Sequence, residues 1–226
     1  MFNITSHLEI NMLKPDVDHN AVTNFAVKYR CPAVVIAPEF TPMMLTDRST
    51  KGGQFKLIAA IDFPDGKNFA TDKLKTINPM TLRVEGIDIL LTSKKTQIET
   101  SNEVKAIGEL MRRVNPLIEL RYVFGYYTRT KEEIDNFTKS CDKYPPHMIR
   151  IDQHLVIPNV GAKEHAIAIE RIRSMTARPL KVSGNIDATM IDELLKIDNR
   201  LVFDVTLQQA LHITGELAAK AVNAAK

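Results

Sequence analysis

The sequence predicts a closed (β/α)8 barrel of parallel strands, and three observations predict it. Strand-length apolar runs alternate with helix-period stretches eight times along the chain. The runs are mostly continuous, without the apolar–polar alternation of half-exposed strands, as expected where both faces of a parallel strand are covered. The length of 226 residues is close to the ~250 typical of one such barrel. Residues 1–226 therefore read as a single domain, with no internal repeat, low-complexity segment or linker.

Leu8–Met12 forms the first strand and leads into Leu13-Lys14-Pro15-Asp16. Asp16 or Asp18 can cap a helix from His19 to Arg30, in which Val22, Phe25, Ala26 and Tyr29 recur at helical spacing. Pro32–Ala37 is the second strand, and residues 38–48 form a loop and a short helix. The third strand, Phe55–Ile61, closes on Asp62-Phe63-Pro64-Asp65-Gly66, and a helix follows over about Phe69–Ile77. Gly86–Thr92 is the fourth strand, with Asp88 inside its apolar run. Thr100-Ser101-Asn102-Glu103 has capping-box spacing and predicts a helix opening there and reaching Val114. Leu117–Phe124 is the fifth strand. A second capping box, Thr130-Lys131-Glu132-Glu133, opens a helix to about Ser140. His147–Ile151 and Ala162–Met175 form the sixth strand and helix. Leu180–Val182 is the seventh strand, followed by a helix with Ile186, Met190, Ile191, Leu194 and Leu195 on one face. Leu201–Val205 is the eighth strand, and a last helix runs from Thr206 towards Ala225.

Composition narrows the function classes. The chain is 44% hydrophobic and 25% charged, enough apolar material for a large core. Its net charge of +3 is small and no basic cluster interleaves with aromatics, so nucleic acid is not an expected partner. No apolar stretch approaches the ~20 residues that span a membrane, and Met1 leads into Phe2-Asn3-Ile4 with no basic region before an apolar run. Two cysteines, Cys31 and Cys141, make no disulfide framework and suit a reducing compartment, so a cytoplasmic location is expected. No glycine-rich dinucleotide fingerprint or metal-ligand spacing appears, and the expectation is no cofactor and no metal.

The chemistry centres on Pro179-Leu180-Lys181-Val182-Ser183-Gly184-Asn185. A lysine on a buried strand must pair with an acid or be chemically useful. The Ser183-Gly184-Asn185 turn before a helix offers backbone N–H groups to an anion. Glu9, Asp62, Asp152 and Asp204 are further acids near strand ends, and could serve as acid/base groups, metal ligands, helix caps or neutralising charges. His154 is a general-base candidate, although a loop histidine is more often solvated. Tyr126 and Tyr127 could frame a pocket or pack within their loop, and Met43-Met44 reads as packing.

Five segments in order resemble the deoxyribose-phosphate aldolase family of class I aldolase barrels. Leu13-Lys14-Pro15-Asp16 is similar to its LKPD segment. Ala33–Pro38 resembles its second strand, and Ile61–Gly66 its IGFPLG turn. Gly86–Leu91 resembles EIDMVI, and Leu180–Ile186 resembles VKASGGI. The resemblance spans about residues 8–205. It implies a lysine on strand six that forms a Schiff base, a second lysine on strand seven that lowers the first one's pKa, and a strand-four aspartate that moves protons through water. Asp88 falls on the aspartate and Lys181 on the second lysine. The family's FVKTSTG segment falls on Met148–His154, which puts Arg150 where the imine-forming lysine stands. A guanidinium stays protonated and cannot form that bond. The family's GTSS phosphate turn is replaced by Val202-Phe203-Asp204-Val205, which adds an anion.

The resemblance thus implies a divergent carbon–carbon lyase acting on a small carbonyl compound or phosphorylated sugar. Lys181 would be the amine, its pKa lowered by Arg150, with Asp88 as proton-transfer partner. Ser183, Gly184 and Asn185 would bind the substrate. The alternative is an aldolase-shaped barrel with a binding or structural role, in which Asp88, Arg150 and Lys181 form a buried ion network without turnover. Homo-oligomerisation is left open.

Overall fold

A computed structural model describes residues 4–64, 66–91, 97–152 and 160–224, the side chains of residues 97, 98 and 216–224 excepted. Eight parallel strands pair in chain order and close on themselves. They are β1 (Leu8–Met12), β2 (Ala33–Ile36), β3 (Lys56–Ile61), β4 (Gly86–Leu90), β5 (Glu119–Phe124), β6 (Met148–Ile151), β7 (Leu180–Ser183) and β8 (Val202–Thr206). The helices between and after them are α1 (His19–Tyr29), α2 (Thr41–Thr50), α3 (Ala70–Met80), α4 (Gln97–Val114), α5 (Lys131–Lys143), α6 (Ala162–Arg173), α7 (Ala188–Ile197) and α8 (Leu207–Ala224). The eightfold order expected from the periodicity is the order observed.

Helix ends follow local chemistry. Asp18 caps α1 by accepting from the Asn20 and Ala21 N–H groups, and Arg30 ends that helix in the left-handed region at φ 53°. Thr130 and Glu133 form the expected capping box of α5. The other expected box is absent: α4 begins at Gln97, so Thr100 and Glu103 lie inside the helix. Glu103 is buried and turned to Lys73 of α3 instead. An ion-pair partner in the protein interior outweighs a cap, which is worth only ~1 kcal/mol.

Pleating separates two apolar regions. Leu8, Ile10 and Met12 of β1 and Leu120, Tyr122 and Phe124 of β5 face outward and join the core beneath the helices. Ala33, Val35, Ile58 and Ala60 face inward and form a small cluster with Leu13 and Phe63. The inside of the barrel is therefore lopsided. Beyond Lys56, which pairs with Glu119 at the start of β3, β2 and β3 present small and aliphatic side chains, whereas β1 and β4–β8 present charge.

Candidate functional site

Inward-facing positions of six strands carry six buried ionisable side chains, Glu9, Asp88, Arg121, Arg150, Lys181 and Asp204, and Asp152, one residue past β6, joins them. Register explains their meeting. Glu9 pairs with Asp204 across β1–β8, Asp88 with Arg121 across β4–β5, and Arg150 with Lys181 across β6–β7. Lys181 lies at the centre, fully buried. Its Nζ donates to Asp88 Oδ2 at 2.5 Å and to Glu9 Oε2 at 2.8 Å, with Asp204 Oδ2 at 3.5 Å. Arg121 Nη1 grips both Glu9 oxygens at 2.8 Å, and its Nη2 reaches Glu119 at 2.7 Å. Arg150 Nη1 donates to Asp204 at 2.9 Å, its Nη2 lies 3.0 Å from Asp152, and the Phe63 ring covers the guanidinium at 5.1 Å. Asn11 Nδ2 donates to the other Asp204 oxygen at 2.5 Å.

The structure thus brings Asp88, Arg150 and Lys181 together inside the barrel, as the sequence predicts, but the electrostatics differ from the expectation. Burial alone would lower the Lys181 pKa, yet Asp88, Glu9 and Asp204 outweigh it and hold the ammonium above its ordinary value. Arg121 offsets part of that rise, and Arg150 is itself paired with Asp204 and Asp152. Burial would raise the Glu9 carboxyl, but Lys181 and then Arg121 bring it down to about 2. Asp204 moves upward, driven by burial that Arg150 and Lys181 only partly offset. Asp88 Oδ1 has no hydrogen-bond partner, and Arg121 Nη1 lies 4.0 Å from it.

The remaining candidates scatter. Ser183 is buried at the end of β7, its hydroxyl 3.5 Å from the Ile151 carbonyl. Gly184 adopts φ 132°, a conformation open to glycine, and its carbonyl accepts from Gln209 Nε2 at 2.8 Å. Asn185 is exposed. Asp62 lies beyond β3 and pairs with Lys73 at 3.0 Å. The Tyr127 hydroxyl contacts Nδ1 of His165, a buried histidine on α6. Cys31 and Cys141 are buried, and burial pushes the Cys31 thiol up to about 12. His154 and Thr92 lie outside the described residues. Among the described residues, no group of three or more His, Cys, Asp or Glu side chains is placed to hold a metal ion, and no helix is long and apolar enough to cross a membrane.

Sequence reasoning missed Arg121 and Lys73, and gave Glu103 a capping role in place of its ion pair. Arg121 had a signal: it stands two positions after Glu119 in a strand, so both side chains face inward. Lys73 sits on a helix among exposed-looking lysines, and no pattern marks it.

Near the C-terminal ends of the strands lies a cleft of about 710 Å³. Its walls come from the segments after β1, β2, β3 and β8, and Asn11 and Ala60 connect it to the barrel interior. Leu13, Phe63 and Leu207 contribute apolar surface, and Lys14, Asp16 and Glu39 contribute charge. This is the end of the barrel where such folds carry their chemistry.

No protein-family model matches the chain, and no curated protein matches it. Solved structures do. A deoxyribose phosphate aldolase from Aeropyrum pernix, described as a unique tetramer, superposes with TM-score 0.80 at 13% identity, covering 95% of this chain and 91% of its own. QR15, an aldolase, gives TM-score 0.80 at 16% identity over 98% of this chain and 99% of its own. A 2,3-dimethylmalate lyase of the PEP mutase/isocitrate lyase superfamily follows at TM-score 0.61 and 10% identity, covering 96% of this chain and 80% of its own. At 13–16% identity the likeness is one of architecture. The chain has the barrel fold found in deoxyribose-phosphate aldolases.

Proposed function

We propose that this chain is an aldolase-shaped barrel that binds a small carbonyl compound or sugar-like molecule at its mouth without forming an imine. One observation carries the reading: Lys181 is fully buried and clamped by Asp88 and Glu9 at 2.5 and 2.8 Å, with its pKa raised. An amine attacks a carbonyl only when unprotonated and within reach. Lys181 is an ammonium held away from the cleft. Its position suits the charge-bearing second lysine of the aldolase pattern, while Arg150 occupies the place of the nucleophile.

The test is reductive trapping. The protein is incubated with acetaldehyde, glyceraldehyde, dihydroxyacetone and deoxyribose 5-phosphate in the presence of borohydride, and lysine adducts are located by peptide mass. The expected result is no selective label on Lys181 and no cleavage of deoxyribose 5-phosphate. A stoichiometric adduct on Lys181 overturns this reading in favour of the lyase. That second reading has its own support: Asp88 lies against Lys181 with one oxygen free to take a proton.

A further inference from the structure

The mouth of the barrel also bears on the chemical class of the ligand, an inference that rests on the ligand-binding reading above. Barrels of this architecture frequently hold phosphate on the turns after strands seven and eight, at a helix N-terminus. Here the chain itself fills both turns. α7 starts on Asp187, whose carboxylate accepts from the Met190 N–H at 2.8 Å, so an anion already occupies that helix end. At the start of α8, Thr206 and Gln209 close on each other. Gln209 Oε1 accepts from the Thr206 N–H at 2.9 Å, and Thr206 Oγ1 accepts from the Gln209 N–H at 3.2 Å. The Gln209 amide also donates to the Gly184 carbonyl, tying the two turns together. A phosphate entering here displaces these bonds and meets the charge of Asp187.

The cations inside the barrel offer no substitute. Arg150 is committed to Asp204 and Asp152, and Lys181 to Asp88 and Glu9. The open volume lies across the mouth, on the β1–β3 side. Of the charged residues lining it, Lys14 is the one base among the described residues, against Asp16, Asp18, Glu39 and Asp62. Asp62 shares Lys73 with Glu103, and even without Asp62 the remaining three acids outnumber Lys14. We infer that the cleft takes an unphosphorylated small molecule, neutral or cationic, and that the turns after β7 and β8 hold no phosphate group.

Amide chemical-shift titration of the 15N-labelled full chain tests this, with 2-deoxyribose, glucosamine, 2-deoxyribose 5-phosphate and inorganic phosphate as probes. The neutral or cationic sugar is expected to move the amides of residues 13–18 and 37–39, and inorganic phosphate is expected to leave residues 184–190 and 206–209 in place. The variant D187A/Q209A removes both obstructions and is expected to gain a saturable phosphate response at 206–209. Saturable phosphate shifts there in the unmodified protein overturn the inference and leave ligand binding intact, as does tighter binding of the phosphorylated sugar than of 2-deoxyribose. A double variant as silent as the parent overturns the role given to the caps. No response to any probe overturns the ligand-binding reading and this inference with it.

Discussion

Replacing Lys181 with methionine probes the charged interior directly. Four carboxylates, on Glu9, Asp88, Asp152 and Asp204, face Arg121, Arg150 and Lys181. Without Lys181 two cations remain, and Asp88 loses its hydrogen bond at 2.5 Å. Removing one partner of a buried pair costs ~3–5 kcal/mol. The Glu9 carboxyl gives a comparable figure: its descent from 4.5 to about 2 corresponds to ~3 kcal/mol, left after burial, which raises it, is offset by Lys181 and Arg121. For a chain of this size each kcal/mol moves Tm by ~2–4 °C, so a fall of ~6–20 °C is expected at pH 7. The sign with pH is fixed by the same carboxyl. A depressed folded-state pKa stabilises above the unfolded value and is lost as pH falls towards 2, so part of the difference between parent and variant vanishes below about pH 4.5. The assay is calorimetric Tm from pH 7 down to about pH 2. A fall under ~3 °C at pH 7, or a gap that widens with acid, refutes the claim that Lys181 is an ammonium holding the cluster together.

Other perturbations follow from the same geometry. Lys73→Met takes the ammonium from the buried Glu103 and from Asp62, and is expected to lower unfolding free energy by ~3 kcal/mol in urea melts. Gly86→Ala places a Cβ 2.7 Å from Ile58 Cδ1 and 3.2 Å from the Glu119 carbonyl, with an expected loss of ~1–3 kcal/mol in the same melts. Thr130→Ala removes the α5 cap and should cost ~1 kcal/mol, read as a shift in the urea midpoint. His165 is held neutral by burial, its pKa lowered to about 4, with Glu164 offsetting part of the effect. A base with a depressed folded-state pKa loses stability as pH falls from its unfolded value of 6.5 towards 4; His165→Gln should flatten the pH dependence of unfolding free energy in that interval.

The fold was legible because parallel strands covered on both faces leave continuous apolar runs, such as Ala33–Ile36, and helices announce their caps. It was less legible where tertiary pairing overrode local preference. Thr100 and Glu103 have capping-box spacing, but Glu103 meets Lys73, and α4 starts a turn earlier. Asp88, Arg150 and Lys181 could be matched one by one against a known pattern, and the barrel register did place them together. Their protonation was not readable, since it depends on Glu9 and Asp204, which come from the first and last strands. A sequence lists the charges near Lys181 in the chain, whereas its pKa answers to those near it in space. Asp204 illustrates the same gap: it read as an anion at the phosphate turn, yet its side chain points inward to Arg150.

The lopsided interior has a consequence for how the chain is completed. Cut between α4 and β5, the barrel divides into a first half whose interior carries Glu9 and Asp88 and a second half that carries Arg121, Arg150 and Lys181 beside Asp152 and Asp204. The partners are far apart in the chain, 112 positions from Glu9 to Arg121 and 172 from Glu9 to Lys181. During synthesis the early half emerges with two buried acids whose ion-pair partners, Arg121 and Lys181, belong to the later half. Those carboxylates keep their water until the later strands arrive, so sealing the barrel waits for the last quarter of the polypeptide. Half-barrels made as separate fragments should seek each other through these cross-half pairs, Glu9 with Arg121 and Lys181 and Asp88 with Lys181.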